Sequence, residues 1–224
     1  MPRTARSLVA GGHYHLINRG NDRSAVFRQP AEYLSFLRLI DDAQQRVPLT
    51  LLAACLMPNH FHLVVATHGD RDISRWMQWL LTTHTHRHHV RGGTSGRVWQ
   101  GRFKAFPIEQ DRHLLTVMRY VERNALRSGL VERAEHWRWS SLSWRLGNSL
   151  GPRLSPPPIR LPRDWAGRVN EPQTPAELEA LRACVNRQRP YGDDCWVAET
   201  AGRLGLESSR RPLGRPHGQG PARD

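Results

Sequence analysis

The order of hydrophobic and polar positions divides the first 145 residues into short strands and longer helices. Strands are indicated by alternation or by short apolar runs, and helices by apolar residues three or four positions apart. Pro58-Asn59 separates two of the strands and predicts a tight turn between them, so this pair forms a hairpin. The predicted strands are 13–18, 49–57, 60–67 and 103–109, and the predicted helices are 30–46, 72–90 and 111–128.

The resulting order β-α-β-β-α-β-α predicts an α+β fold. Its first six elements match the ferredoxin-like (RRM-like) arrangement, in which a four-stranded antiparallel sheet carries helices on one face. We expect the other face to be open for a ligand, with the last helix and a C-terminal extension added to this core.

The chain changes character after about residue 143. Many of its 16 prolines lie between 147 and 176, where no periodicity is visible, and two short helical stretches follow. The last residues are basic and almost without apolar side chains, which predicts disorder. The expected units are a folded domain at 8–145, a Pro-rich linker at 146–174, a small helical region at 175–209 and a basic disordered tail at 210–224.

Charge narrows the choice of partner. The 224 residues include 33 Arg and Lys against 20 Asp and Glu, a net charge of +13 that favours a polyanion. Lys104 is the single lysine; either phosphate recognition or a GC-rich genome explains this preference for arginine.

Three cysteines without a CxxC pair indicate a reducing compartment. No apolar run is long enough for a membrane span or a signal peptide, so we expect a cytoplasmic protein.

Two histidines on the predicted second strand of the hairpin are the sharpest chemical feature. His60 and His62 are two residues apart, so their imidazoles point to the same face while Phe61 points to the other. Two imidazoles in this arrangement can share one metal ion. A structural role is the alternative, because this pattern is common on strands that bind no metal.

A second candidate pair lies on the last helix of the domain. Tyr120 and Asn124 are four residues apart and share one helical face, so a nucleophile and an oxygen ligand can lie together. From the residues alone an amphipathic core position is the favoured alternative for Tyr120, because Leu114, Val117 and Val121 form an apolar stripe beside it. The histidines at 84–89 are interpreted as a polar helix face, and His13 or His15 as a neighbour of the metal site, a packing residue or a DNA contact.

Several longer motifs together resemble the REP-associated tyrosine transposases, which belong to the single-tyrosine HUH superfamily. The motifs are HYHLINRGN, LMPNHFHLVV, VWQGRFKAFPIEQDRHLLTVMRYVERNALRSGLV and HWRWSSL, in the order and spacing of that family. RPYGDDCWVAETAGRLGLESSRRPLGRP resembles its C-terminal segment. The resemblance implies that Tyr120 is the catalytic nucleophile and that His60, His62 and Asn124 hold Mg²⁺ or Mn²⁺. One departure is Ala125, where the family often has proline after the asparagine.

The resemblance also implies a reaction and a partner. Tyr120 would attack single-stranded DNA beside a REP hairpin, forming a 5′-phosphotyrosine and releasing a 3′-hydroxyl that is later rejoined. It further implies action at the nucleoid, either as a monomer, as in this subgroup, or as a homodimer, as in related transposases. Several arginines and aromatic residues are expected to contact phosphates or stack on bases, with solvation and core packing as their alternatives. These DNA-binding candidates are Arg19, Arg23, Arg97, Trp99, Arg102, Lys104, Arg210 and Arg211.

Two other functions remain open at this stage. A non-catalytic protein that binds DNA hairpins needs the same basic surface but no nucleophile. A metal-dependent nuclease that activates water needs the metal ligands but tolerates the loss of Tyr120.

Overall fold

Strands and helices follow one another in the predicted order. The computed structural model describes residues 8–211, and most elements agree with the predicted ones to within two residues. The strands are β1 (His13–Arg19), β2 (Leu49–Met57), β3 (His60–Thr67) and β4 (Lys104–Ile108). The helices are α1 (Pro30–Arg46), α2 (Asp72–Gly92), α3 (Arg112–Glu122), α4 (Asn124–Arg127), α5 (Ser141–Arg145), α6 (Trp165–Asn170), α7 (Pro175–Arg187) and α8 (Asp194–Leu204).

The four strands form one antiparallel sheet in the order β2-β3-β1-β4. This is the ferredoxin-like arrangement, so the predicted fold class is confirmed. The hairpin β2–β3 lies at one edge, and β1 pairs with both β3 and β4. β2 contains a bulge at Leu52, where the register shifts between Leu51 and Ala53. Leu52 and Ala53 therefore both lie in the core beneath α3.

Both faces of the sheet are covered. The first core lies under α1 and α2 and contains alternate residues of β3, namely Phe61, Leu63 and Val65. The second core lies under α3 and contains Val64 of the same strand. The expectation of an open second face is therefore wrong, because the apolar residues of α3 require burial and the sheet supplies the surface.

The predicted helix at 111–128 begins and ends as expected but is interrupted. The Asp111 side chain accepts a hydrogen bond from the His113 backbone N–H at 2.7 Å, which caps α3. Gly129 ends α4 with a positive φ of 69°, a conformation that glycine adopts without strain. Between them, Arg123 separates α3 from α4, and its guanidinium donates to the carbonyls of Val169 and Asn170.

The C-terminal segment packs against the second core. The expected linker at 146–174 contains a helix, α6, whose Trp165 and Val169 are buried beneath α3. Leu181 and Cys184 of α7 are buried in the same core. After α7 the chain returns beside β4, where Tyr191 exchanges backbone hydrogen bonds with Pro107 and Glu109. Of the described helices, none combines the length and the apolar composition needed to cross a bilayer.

A buried carboxylate joins the helices of this second layer. Glu122 is fully buried at the end of α3. Its Oε1 accepts hydrogen bonds from Ser141 Oγ at 2.5 Å and Arg145 Nε at 3.0 Å, and its Oε2 accepts one from Trp165 Nε1 at 2.6 Å. Arg145 also donates to the carbonyl of Leu52 at the bulge. These contacts tie α3, α5, α6 and β2 together.

His84 generates a prediction about acid stability. It is buried between Phe36 and Trp99, and burial lowers its pKa from 6.5 to about 3. His84 is therefore protonated below about pH 6.5 in the unfolded chain but only below about pH 3 in the folded chain. The free energy of unfolding falls as the pH is lowered from 6.5 to 3. Between pH 8 and pH 5 we expect the unfolding free energy of wild type to fall by up to about 2 kcal/mol more than that of His84→Phe, because phenylalanine takes up no proton.

Urea unfolding at the two pH values measures this difference. His86→Phe is the matched control, because His86 is exposed on the same helix. An equal loss of stability in wild type and His84→Phe would contradict the assigned cause.

Candidate active site

The two histidines of the hairpin face α3. His60 and His62 alternate along β3 with Phe61, which is buried in the opposite core. Their ring centroids are 4.9 Å apart. The turn before them is held by the loop after β1, because Gly20 N–H donates to the Asn59 carbonyl at 2.7 Å. A Cβ on Gly20 would lie 2.4 Å from the Ser24 carbonyl, so this approach requires glycine.

Asn59 determines which nitrogen of His60 carries the proton. Asn59 Nδ2 donates to the Arg23 carbonyl at 3.0 Å, which orients its amide. Asn59 Oδ1 then faces His60 Nδ1 at 2.7 Å, and an amide oxygen can only accept. His60 Nδ1 is therefore the protonated nitrogen, and its Nε2 keeps a lone pair for a ligand.

His62 is paired with a third histidine. His15 on β1 places its Nε2 2.8 Å from His62 Nδ1, and the two rings stack at 5.0 Å. Both side chains are almost completely buried. When His62 Nδ1 donates in this bond, His62 Nε2 has the lone pair that a metal ion needs.

All three imidazoles favour the neutral form. Burial, together with neighbouring positive groups, lowers the pKa of His60 to about 4 and that of His15 to about 3. The pKa of His62 is also well below its ordinary value, first through burial and then through His60. Neutral imidazole is the form that binds metal ions, so the site needs no deprotonation step near pH 7.

Tyr120 lies beside these histidines. The amphipathic α3 places it on the face that packs against the sheet, where its ring meets the His62 ring edge-on at 5.8 Å. The distance between the Tyr120 and His15 ring centroids is 6.4 Å. Tyr120 is buried and belongs to the second core, as the packing alternative predicted, and it also borders the histidine pair.

Asn124 and Arg127 complete the group. Asn124 is 1% exposed, and its Oδ1 accepts a hydrogen bond from Arg127 Nη2 at 2.8 Å. The Arg127 guanidinium carbon lies 4.3 Å from the centroid of the Tyr120 ring. The structure therefore places the four candidate residues His60, His62, Tyr120 and Asn124 in one connected group, in which His62 meets Tyr120 and Arg127 links Tyr120 to Asn124. His15, one of the two histidines considered as a neighbour of the site, joins this group through His62.

Sequence comparison covers the segment that builds this group. The profile described as "Transposase IS200 like" matches residues 8–124. That range is more than half of the chain and ends at Asn124. The chain belongs to the IS200-like transposase family.

Relatives of this transposase support the resemblance seen in the motifs, which is confirmed. A REP-associated tyrosine transposase of Haemophilus influenzae is 23% identical over an alignment of 174 residues, and the match covers 72% of this chain and 92% of the relative. A solved REP-associated tyrosine transposase bound to a REP hairpin covers 68% of this chain and 89% of its own, with TM-score 0.55 and 22% identity. At this identity the structural likeness shows the shared fold.

Most DNA-binding candidates of the transposase lie at its surface, with one clear exception. Trp99 is 6% exposed and packs in the first core against Phe61, Phe36 and His84. The expectation that Trp99 stacks on a base is therefore wrong, because the core needs its large apolar ring. The exposed candidates are Arg19, Arg23, Arg97, Arg102, Lys104, Arg210 and Arg211. Beyond Arg211, the expected basic tail lies outside the described residues.

Three of the exposed cations line one pocket beside the histidines. Arg19, Arg102 and Lys104 border a pocket of about 260 Å³, with Val185 and Asn186 of α7 on another side. Ile17 also lines it and pairs across the sheet with both His62 and Lys104. Adjacent strands are roughly 5 Å apart, so this basic pocket begins one strand from the histidine pair.

A second group of possible metal ligands has structural roles. Glu109, Asp111 and His113 lie close enough to share an ion. Asp111, however, caps α3, and Glu109 accepts the Asp193 backbone N–H at 2.8 Å. His113 donates into the same carboxylates. These mutual bonds account for the cluster without a metal.

Arg127 is the site residue that sequence analysis missed. Helical spacing was the available signal, because Arg127 follows Asn124 by three residues and Tyr120 by seven, which keeps all three on one side. In a chain with so many arginines this spacing does not distinguish one of them.

Proposed function

We propose that this transposase cleaves and rejoins single-stranded DNA at REP-type hairpins through a 5′-phosphotyrosine on Tyr120. The observation that carries the proposal is the meeting of Tyr120 with His62 at 5.8 Å and with the Asn124–Arg127 pair. A tyrosine next to neutral imidazoles, an amide and a guanidinium is suited to phosphoryl transfer.

The donor atoms of the site fit a divalent metal ion. His60 and His62 can each offer Nε2, since Asn59 and His15 engage their Nδ1 atoms. Asn124 Oδ1 has a second lone pair besides the one that Arg127 occupies. We propose that these three residues hold Mg²⁺ or Mn²⁺, with the two nitrogen ligands favouring Mn²⁺. A bound ion would draw electron density from the scissile phosphate.

The proposed step is an in-line displacement at phosphorus. The Tyr120 oxygen forms a bond to phosphorus while the bond from phosphorus to the 3′ oxygen breaks. The phenolic proton leaves to solvent, and the departing 3′ oxygen takes up a proton, so charge and atoms balance. The new phosphodiester retains the energy of the old one, and a second 3′-hydroxyl can reverse the reaction without a nucleotide cofactor.

The surface around the site supports a DNA partner. Arg19, Arg102 and Lys104 line the pocket next to the histidines, and none of the described residues that line it is acidic. A solved relative is bound to a REP hairpin, and we extend this partner to the present chain. Action on chromosomal repeats would place the protein at the nucleoid, in the cytoplasm. A monomer suffices for this chemistry, since one chain supplies every proposed site residue.

The nucleophile can be tested with Tyr120→Phe. We expect wild type with Mn²⁺ or Mg²⁺ to form a protein-linked DNA product on a labelled hairpin oligonucleotide, and Tyr120→Phe to form none, because phenylalanine lacks the attacking oxygen. Denaturing gel electrophoresis measures the product, and Tyr191→Phe is the control. Cleavage by Tyr120→Phe without an adduct would identify a water-using nuclease. Tight binding without cleavage by wild type would identify a hairpin-binding protein.

The role of His15 can be tested without DNA. His15→Phe keeps an aromatic ring but removes the nitrogen that faces His62, so the protonated nitrogen of His62 is no longer held. We expect Mn²⁺ affinity, measured by calorimetry, to fall roughly 10–100-fold and His15→Gln to recover part of it. His84→Phe, buried on the opposite face, should bind Mn²⁺ as wild type does. Unchanged affinity in His15→Phe would contradict this role.

The basic pocket can be tested by salt dependence. We expect Arg102→Ala and Lys104→Ala each to weaken binding of single-stranded hairpin DNA and to reduce the slope of log affinity against log salt by about 0.7. Fluorescence anisotropy at several salt concentrations measures the slope. Arg38→Ala, exposed on α1 across the sheet, is the matched control. Equal slopes in wild type and all three variants would contradict the proposal that the basic pocket contacts DNA.

A further inference from the structure

Arg127 differs from the other arginines of its neighbourhood. Arg119 donates to the carbonyls of Glu171 and Pro172, Arg123 to those of Val169 and Asn170, and Arg145 to the Glu122 carboxylate. These three guanidiniums bond to main-chain or carboxylate oxygens and join elements of the fold. Arg127 instead bonds to the Asn124 side chain and lies over the Tyr120 ring.

The positive charge of Arg127 has no acidic counterpart. Within residues 8–211, no carboxylate forms an ion pair with its guanidinium. Its guanidinium faces the site instead, with one nitrogen on Asn124 Oδ1 and its carbon 4.3 Å from the centroid of the Tyr120 ring. A partly buried cation without an acidic partner is costly unless an anion binds beside it.

Two unpaired donors of the Asn124–Arg127 pair indicate where such an anion would bind. Arg127 Nη1 and Asn124 Nδ2 are both buried, and neither has an acceptor among the described residues. The amide is oriented unambiguously, because a guanidinium only donates and must face Asn124 Oδ1. Two unpaired donors, one of them charged, suit the oxygens of a phosphate group.

We propose that Arg127 and the Asn124 amide form a phosphate-binding site beside Tyr120, which makes Arg127 a catalytic residue. This inference rests on the proposed function for its substrate, the scissile phosphodiester of DNA. Arg127 Nη1 donates to a non-bridging oxygen while Nη2 stays on Asn124. The charge that collects on the non-bridging oxygens during attack by Tyr120 is then partly neutralised. Lysine cannot replace this fork, because a single ammonium lacks its fixed two-point geometry.

The first test separates chemistry from binding. We expect Arg127→Met and Arg127→Lys to cleave a hairpin oligonucleotide roughly 100-fold more slowly than wild type in single-turnover reactions. Their affinity for the oligonucleotide, measured by fluorescence anisotropy, should change less than threefold. Arg112→Met, exposed at the start of α3, is the matched control and should behave as wild type in both assays. Melting curves of all variants report folding.

The second test needs neither cleavage nor DNA. Inorganic phosphate is titrated into protein with ¹⁵N-labelled arginine, and the Arg127 side-chain resonance is assigned by its loss in Arg127→Lys. We expect phosphate to shift this resonance with saturation and to leave that of Arg112 unmoved. In Asn124→Ala the shift should require a higher phosphate concentration, because the second donor is missing.

The outcomes distinguish the two proposals. If phosphate shifts the Arg127 resonance but wild type forms no adduct, the phosphate site stands and the proposed function fails. If wild type cleaves and Arg127→Met cleaves within threefold of it, the role of Arg127 is overturned. A parallel loss of cleavage, affinity and melting temperature in both Arg127 variants would also overturn it, since that pattern identifies a structural residue.

Discussion

The position of α3 on the sheet depends on the buried carboxylate of Glu122. Three side-chain donors, from Ser141, Arg145 and Trp165, converge on it from two later helices. A buried carboxylate is tolerated only when such donors surround it, and removal of one partner leaves the rest unpaired. Glu122 lies two residues after Tyr120, so the contacts that satisfy the carboxylate also set where the tyrosine stands above the histidines.

This arrangement gives the C-terminal segment a structural role in the site. The family profile ends at Asn124, yet Trp165 and Val169 of α6 and Leu181 of α7 fill the core beneath α3. Arg123 binds the end of α6 through main-chain carbonyls. α7 also supplies one side of the basic pocket. The residues after 124 therefore complete the layer that carries the tyrosine, in addition to extending the surface beside it.

The site places neutral imidazoles at the centre of a protein of net charge +13. The histidines at its centre are kept neutral by burial and by the nearby guanidiniums of Arg19 and Arg127. Positive charge is thus concentrated in arginines and, in our proposal, in a metal ion, while the imidazoles stay available as ligands. In our proposal, a phosphodiester at this site would meet Arg127 beside Tyr120 and the cations of the basic pocket, Arg19, Arg102 and Lys104.

Local rules were sufficient for much of this protein. The period of two on β3 placed His60 and His62 on one face, the helical period placed Tyr120 with Asn124, and turn and capping residues marked most element ends. Those signals depend on neighbours a few residues apart, so a single sequence contains them. The resemblance of the motifs to the family added the expectation that the pair His60–His62 and the pair Tyr120–Asn124 lie in one site.

Tertiary structure decided the rest, because it depends on residues far apart in the chain. The His15–His62 bond joins positions 47 residues apart, and Trp165 reaches Glu122 across 43 residues. Trp99 was placed in the core by packing against α1 and α2, which its local sequence does not encode. The tertiary structure also distinguishes Arg127 from the neighbouring arginines. The guanidiniums of Arg119, Arg123 and Arg145 donate to main-chain or carboxylate oxygens, whereas Nη1 of Arg127 has no acceptor among the described residues.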